Sequence, residues 1–583
     1  MQQHPPPRSP PVDDAQVVKS PEDISWYAHA DLVVVGFGAA GVSAALEARE
    51  RGLEVIALDT ARGGGATMLS GGVYYAGGGT RIQRDCGEQD SPEAMFEYLK
   101  QETGTVVSDE TLRRFCEQSA STLDWLIRHG VQFSGPVWKE KTSYPGAGYF
   151  LYHSDNSLLS AFAGRHPPAA RGHRGVTRSR RAAVNLGGSI FEPLKQSAMR
   201  MGVRLDRYSE VRQLLTVPDG RVIGLRAWCL PERGRALKRY VRHLKWAERL
   251  LRFYPPVLPG RRWMGRFAGR LYRRAAAIRL THGESRCYRA RRGVVLSAGG
   301  FIFNRSMVKR YCKSYLPGFP LGTRADNGSG IRLGESVGGT TRHMGRVSAW
   351  RFINPPLAWS KGMIVNQQGA RFVNESAYGA TIGTTMVEQC DGRAWLIIDR
   401  RLMRSAWHQV VFGKLLPFQR QLTILNQVFG MRRFSGAESL CNHYGFDTDT
   451  FRSTLENYLG LAGGTVTDPF GKSSSDASAL QPPFYVIDVS LAQPLLPCTV
   501  MTLGGLVVDE KTGEVLDKTR APIAGLYAAG RTAVGIPSNM YMSGLSIADG
   551  VFAGRRAGAH AAIRDGDHFK RAQDDSSGAP GKP

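Results

Sequence analysis

The sequence predicts an α/β fold organised around a Rossmann-like dinucleotide-binding unit. The first observation is the stretch Leu32 to Asp59, LVVVGFGAAGVSAALEARERGLEVIALD. Leu32 to Val35 is a short apolar run, the pattern of a buried parallel strand. Gly36, Gly38 and Gly41 follow at G-x-G-x-x-G spacing, and Val42 to Arg51 has the composition of a helix. Gly52 ends it, and Leu53 to Leu58 is a second strand closed by Asp59. The glycines serve a tight turn, close approach of backbone to a pyrophosphate, and close helix–strand packing. The helix N-terminus favours phosphate charge. Asp59 lies 23 residues after Gly36 (59 − 36), where an acid binds adenosine ribose hydroxyls. The second observation is length: 583 residues bury a large core and predict two or more domains. The third is composition, 42% hydrophobic with 68 glycines and no run of 18 apolar residues, which excludes a membrane-spanning helix.

The N-terminus, MQQHPPPRSPPVDDAQ, is proline-rich without an apolar centre. It reads as a disordered lead over 1–27 and not as a secretory signal, and 568–583 reads as a disordered tail. The eight cysteines are scattered with no C-x-x-C, so no metal site or disulfide framework is expected and a cytoplasmic setting fits. Net charge is +26, and 232–292 holds 19 Lys/Arg against three Glu.

After Asp59 and Thr60 comes ARGGGATMLSGGVYYAGGG, with eight glycines in 19 residues. Backbone there can run close to a ligand, with Thr67, Ser70, Gly71 and Gly72 presenting N–H and hydroxyl groups. This order of motifs resembles the FAD-dependent flavoproteins of the fumarate reductase, succinate dehydrogenase and 3-ketosteroid dehydrogenase family. Four later segments share the resemblance: VVLSAGGFIFN from Val294, NGSGIRLGESVGG from Asn327, GMIVNQQGARFVNE from Gly362 and GLYAAGRT from Gly525.

The resemblance implies an FAD-binding domain split between 28–325 and 485–567, and an α+β capping domain at 326–484. It implies FAD contacts at Gly36, Gly38, Ala39, Ala40, Gly41, Asp59 and Thr60, then at Thr67 and Ser70 to Gly72. Val211, Ala298, Gly299 and Gly330 carry the middle of the chain, and Gly530, Arg531, Leu545 and Ser546 its end. No histidine occurs in Gly63 to Gly79, where covalent-flavin relatives carry one, so non-covalent FAD is implied. Arg531 replaces a common Glu and Ser329 a common Asp.

The substrate end is GIPSNMYMSGLSIADG, Gly535 to Gly550. Tyr541 stands where the fumarate reductases carry an Arg that clamps a carboxylate, which a phenol cannot do. Their His is also absent, with Ile536 to Asn539 in its place. A phenol suits a neutral ketone. Tyr541 and Ser543 resemble the tyrosine and serine of the 3-ketosteroid Δ4-(5α)-dehydrogenases, and Tyr378 their second tyrosine. The implied reaction is introduction of a C=C bond beside the C3 ketone of a steroid-like substrate. Tyr378 is taken as base, Tyr541 and the Gly544 N–H as donors to the oxygen, and Ser543 as relay; the reverse order of the tyrosines uses the same groups. A tyrosine pKa is about 10, so the base needs a lowered pKa or a relay. Δ1-dehydrogenation, ene-reduction and a binding flavoprotein are the rival readings. Arg171, His173, His343 and Arg351 read as structural more readily than catalytic; Tyr149, Phe150 and Tyr152 suit either a pocket wall or the core.

Gly234 to Tyr254 and Trp263 to Leu280 read as two cationic amphipathic helices joined through Pro255, Pro256 and Pro259. Leu237, Tyr240, Val241, Leu244, Ala247 and Leu251 recur at helical spacing. With Trp246, Phe253, Trp263 and Phe267, the pair suits an anionic membrane surface at the inner face, a packed hairpin, or a partner contact. No nucleic-acid recognition fold is visible, and the electron acceptor is not specified by any motif.

Overall fold

A computed structural model describes residues 12–162, 166–176, 186–253 and 261–563. The nucleotide unit forms as its periodicity dictates: strand Ala28–Val35, helix Ala39–Glu50, strand Val55–Asp59. The helix starts three residues before the expected Val42, because Gly38 in extended backbone is its N-cap. Strand Ala28–Val35 pairs in parallel with Val55–Asp59 on one side and Glu284–Leu296 on the other. Arg204–Arg207 extends the sheet beyond Val55–Asp59, and Ser209–Thr216 and Val222–Cys229 add an antiparallel layer beyond Glu284–Leu296.

The split of this sheet in sequence is visible in its hydrogen bonding. Strand Pro522–Ala528 pairs in parallel with Val294–Leu296, far earlier in the chain. The final helix, Leu545–Ile563, lies across Ala39–Glu50. Their crossing is close: a Cβ at Gly554 would stand 2.2 Å from the Ala40 carbonyl oxygen, and one at Gly558 2.4 Å from that of Ala44.

A second sheet of four strands, Met363–Val365, Trp395–Asp399, Phe484–Asp488 and Met431–Phe434, builds the cap. The expected boundary at 484/485 falls inside one of these strands. Beneath the sheet a buried ionic cluster ties the cap together. Lys472 Nζ donates to Glu375 (2.9 Å), Tyr458 Oη (2.8 Å) and the carbonyls of Ser360 and Gly362, while Arg371 makes two bonds to Glu375. Burial alone would raise the Glu375 pKa, but Lys472 and Arg371 outweigh it and hold the carboxyl at about 2.

The expected disorder over 1–27 is corrected from residue 12 onward. Gln16–Val17 adds to the sheet edge beside Leu215 and Thr216, and Val18 is buried with Leu215 and Ile223. The lead before residue 12 and the tail 568–583 lie outside the described residues.

The basic segment folds as two helices, Arg235–Phe253 and Arg261–His282, packed on each other. Their apolar stripe is largely consumed there: Leu237, Tyr240, Val241, Leu244 and Ile278 pack with Tyr208, Leu230 and Ala275. Arg279 pins the hairpin to the nucleotide sheet, bonding to Glu210 (2.5 Å), the Thr60 carbonyl (3.0 Å) and Tyr240 Oη. Trp246, Trp263 and Phe267 stay exposed between the arginines. The linking Pro255, Pro256 and Pro259, and the side chains of Leu251 and Phe253, lie outside the described residues.

Candidate active site

The glycine turn is shaped by contacts that exclude a side chain. At Gly36, φ is +90° and a Cβ would stand 2.7 Å from the Ser297 carbonyl oxygen; a Cβ at Gly41 would lie 2.0 Å from the Gly36 oxygen. Gly38 has only Thr67 Oγ1 (3.6 Å) and the Gly64 oxygen beside its Cβ position, so the backbone there can be approached closely. Thr67 Oγ1 accepts the Ala39 N–H (3.1 Å). Ala40, at the start of the same helix, touches the Gly530 and Gly550 positions. Asp59 accepts the N–H groups of Phe37 (3.0 Å) and Ala61 (2.8 Å), which fixes the loop at the strand end. Ser70 Oγ accepts the Gly72 N–H (3.1 Å), and the Gly71 carbonyl accepts from Tyr144 Oη (2.5 Å).

The later motifs close on the same place. Ala298 stands against Gly36 and against Gly330, whose other neighbour is Thr532. Gly299 donates to Thr532 Oγ1 (3.0 Å). Arg531 Nη2 pairs with Asp326 (2.5 Å), while its Nη1 is buried without a partner. Val211 and Thr60 lie toward the far end, where strand Ser209–Thr216 packs beside Val55–Asp59. Leu545 and Ser546 open the final helix.

Past Arg531 the chain reaches an aromatic-walled cluster of Tyr378, Ala380, Met501, Leu503 and Tyr541, flanked by Leu321, Trp350 and Phe352. Trp350 stacks on Tyr541 with ring centroids 4.7 Å apart at 24°. Phe352 bridges Trp350 and Tyr378. Tyr378 is 1% and Tyr541 6% exposed. The Ser543 hydroxyl accepts from Tyr152 Oη (2.9 Å) and lies close enough to Tyr378 to oppose the rise of that phenol's pKa. Ser543 is itself held by Ser154, whose carbonyl accepts its N–H (3.2 Å) and whose hydroxyl donates to its carbonyl (3.2 Å). Gly544 has φ +88°, and a Cβ would stand 2.7 Å from the Tyr75 nitrogen, so this backbone requires glycine.

Electrostatically the site holds neutral phenols. Burial pushes Tyr378 well above the ordinary value, reinforced by the neighbouring Tyr541 and Tyr152, and opposed by the Ser543 hydrogen bond. Burial raises Tyr541 to about 12, opposed by the Gly544 backbone and the Arg531 charge. Of the two expected routes to a base, burial works against a lowered pKa.

The family described as FAD binding domain matches residues 31–546. The chain belongs to this family. The 3-oxo-5-alpha-steroid 4-dehydrogenase of Comamonas testosteroni is 36% identical over 532 residues, 89% of this chain and 96% of that protein. A 3-oxosteroid 1-dehydrogenase of Mycolicibacterium smegmatis is 28% identical over 564 residues, 88% of this chain and 93% of that protein. The crystal structure of the 3-ketosteroid-delta4-(5alpha)-dehydrogenase of Rhodococcus jostii RHA1, in complex with 4-androstene-3,17-dione, matches with a TM-score of 0.76 and 28% identity. It covers 93% of this chain and 99% of that one. A flavocytochrome c3 fumarate reductase shares the fold, with a TM-score of 0.60 at 21% identity. The residues present fit the cofactor of this FAD-binding family: the glycine cradle excludes side chains around a helix N-terminus, and a buried guanidinium nitrogen of Arg531 lacks a partner.

Reading the sequence alone missed Trp350, Phe352 and Asn156. Asn156 Oδ1 accepts the Tyr378 N–H (2.6 Å) at the N-cap of helix Gly379–Gln389, fixing that tyrosine. None of the three carries a local motif; only the fold brings them to the site. The remaining candidates are structural. Arg351 is fully buried and donates to the Leu496 and Ser490 carbonyls. Arg171 forms a bidentate pair with Asp90 (2.9 and 2.7 Å), His173 bonds to Thr80 (3.0 Å), and His343 closes a turn with Arg346.

Proposed function

We propose that this chain desaturates a 3-ketosteroid beside its C3 ketone, forming the 4-ene. The observation that carries the reading is the gathering of Tyr378, Tyr541 and Ser543, the last bonded by Tyr152, in and beside one buried aromatic cluster. Flat aromatic rings suit contact with a fused-ring substrate, and phenols suit an uncharged carbonyl. The steroid relatives, alike over nearly the whole chain, support the same substrate class.

The residues divide the chemistry as follows. Tyr541 Oη and the Gly544 N–H donate to the ketone oxygen as negative charge develops on it, a contribution of about 10²–10³ in rate for one such donor. A pKa of about 12 keeps Tyr541 a donor throughout the physiological range. Tyr378 gives up its hydroxyl proton to solvent base by way of Ser543 Oγ and, as the phenolate, takes the proton alpha to the ketone. Trp350 and Phe352 orient the two rings by stacking and edge contact. Bound FAD supplies the acceptor for the hydride that leaves the beta carbon.

Incubation with a saturated 5α-3-ketosteroid and an artificial electron acceptor tests the reading, with the product mapped by NMR. A 4-ene is expected. A 1-ene moves the reaction to the other side of the ketone, and no alkene contradicts the reading.

For the hairpin at 234–280 we propose an anionic membrane surface as partner, supported by Trp246, Trp263 and Phe267 standing exposed among its arginines. Among the described residues no helix is long and apolar enough to cross a membrane, so contact would be peripheral. Co-sedimentation with anionic vesicles should fall severalfold in Trp246→Ser/Trp263→Ser; unchanged sedimentation would sink this assignment.

A further inference from the structure

A separate surface lies on the elements that pack beside Tyr144. The cap carries three consecutive elements, Arg400–Phe412, Pro417–Leu425 and Asn426–Gly430, each packed on the next. They leave large apolar side chains in solvent: Phe412 is 74% exposed, Phe429 68%, Val411 56% and Val428 53%. Scattered single exposed hydrophobes need no explanation, but a run of them on adjoining short helices does. Residues 400–433 also contain seven Lys/Arg and no Asp or Glu: Arg400, Arg401, Arg404, Lys414, Arg420, Arg432 and Arg433. All seven are exposed.

This surface is connected to the site through one loop. Phe418 makes an edge contact with Tyr144 (6.2 Å), and Tyr144 faces Tyr152 (6.2 Å), which bonds to Ser543. Lys414 accepts the Ala147 N–H through its carbonyl (2.9 Å) and reaches Tyr149 Oη with its ammonium (3.0 Å). Gln419 Nε2 donates to the Tyr144 carbonyl (3.2 Å). Phe418, itself exposed, is thus linked through Tyr144 to the Tyr152–Ser543 bond.

We propose that this face docks the protein on an anionic lipid bilayer, with Phe412, Phe429, Val411 and Val428 in the interfacial layer and the surrounding cations on lipid phosphates. Charge selects the occupant. A second copy would bring the same seven cations against themselves in a two-fold contact, which repels. Anionic headgroups complement the ring of cations, and acyl chains complement the aromatic rings. Delivery of a lipophilic substrate from the bilayer to Tyr144 and the site follows if the steroid reading holds; lipid binding itself does not depend on it.

The test uses the full-length, FAD-loaded protein, without substrate, and vesicles of phosphatidylcholine alone or with three-tenths phosphatidylglycerol. Sedimentation with the anionic vesicles, suppressed by high salt, is expected. Phe412→Ser/Phe429→Ser should weaken it about tenfold or more while flavin content and turnover of detergent-dispersed steroid stay at the wild-type level. Equal vesicle binding by this variant overturns the proposal, as does a wild-type protein that stays in the supernatant. A concentration-dependent dimer that the same variant abolishes, without vesicle binding, would assign the face to a second copy instead. Vesicle binding with no steroid turnover would leave the docking face standing and overturn only the substrate reading.

Discussion

At the residue scale, the proposed chemistry uses hydroxyl groups whose burial keeps them protonated. Tyr378, pushed up by burial, transfers protons better as solvent basicity rises. The rate of flavin reduction should therefore climb with pH from 7 to about 10, and stopped-flow profiles with a flat response across that range would argue against Tyr378 as the base. Ser543→Ala removes the hydroxyl that Tyr152 bonds and that opposes the rise of the Tyr378 pKa. Loss of about 10²-fold in flavin reduction is expected, with flavin content unchanged, on the usual scale of acid–base contributions. A steeper or displaced pH profile would accompany it, which a packing defect alone would not give. Part of the proposed cluster was legible in the sequence, because Tyr541, Ser543 and Gly544 lie within one short segment. Trp350, Phe352 and Asn156 were not legible, because each reaches the site only through tertiary packing. The raised pKa of Tyr378 was equally invisible, since burial is a property of the assembled cap.

At the element scale, two ties are open to direct measurement. The first is the ionic cluster of the cap. Glu375 is held at about 2 against an unfolded value of 4.5, so its charge stabilises the folded state above pH 4.5 and that contribution fades as pH falls toward 2. The contribution amounts to about 3 kcal/mol at neutral pH on this difference. Glu375→Gln leaves Lys472 and Arg371 buried without their partner, and denaturant unfolding should show a loss of about 3–5 kcal/mol and a flatter response to acid. The second tie is Arg279, which binds the basic hairpin to Glu210 and Thr60. Arg279→Ala should open residues 233–283 to proteolysis, and FAD dissociation should quicken because Thr60 lies at the nucleotide end. The helices of the hairpin were legible from apolar spacing almost to the residue. Their partner was not: the stripe of Leu237, Tyr240, Val241 and Leu244 has the periodicity of a membrane face, but it packs on Tyr208 and Leu230.

At the scale of the whole molecule, the chain folds back on its beginning to complete the nucleotide domain. The glycine fingerprint near the N-terminus and Gly525 to Thr532 near the C-terminus meet in one sheet, with strand Pro522–Ala528 beside Val294–Leu296. The cap inserted between them brings Tyr378 and Trp350 to the residues that follow this strand. That division was readable because both glycine motifs are local. The pairing of Arg531 with Asp326, 205 residues apart, was not readable, and it gives this buried cation its own carboxylate. We propose that this closure produces a ketone-desaturating site with Tyr541 on the carbonyl oxygen. The most direct measurement is anaerobic bleaching of the bound flavin by a saturated 5α-3-ketosteroid in wild type and Tyr541→Phe. Rapid bleaching in wild type, slowed about 10²–10³-fold in the variant at equal FAD content, is the expected result. Wild-type flavin that no saturated 3-ketosteroid bleaches, or a variant that bleaches at the wild-type rate, would contradict the claim.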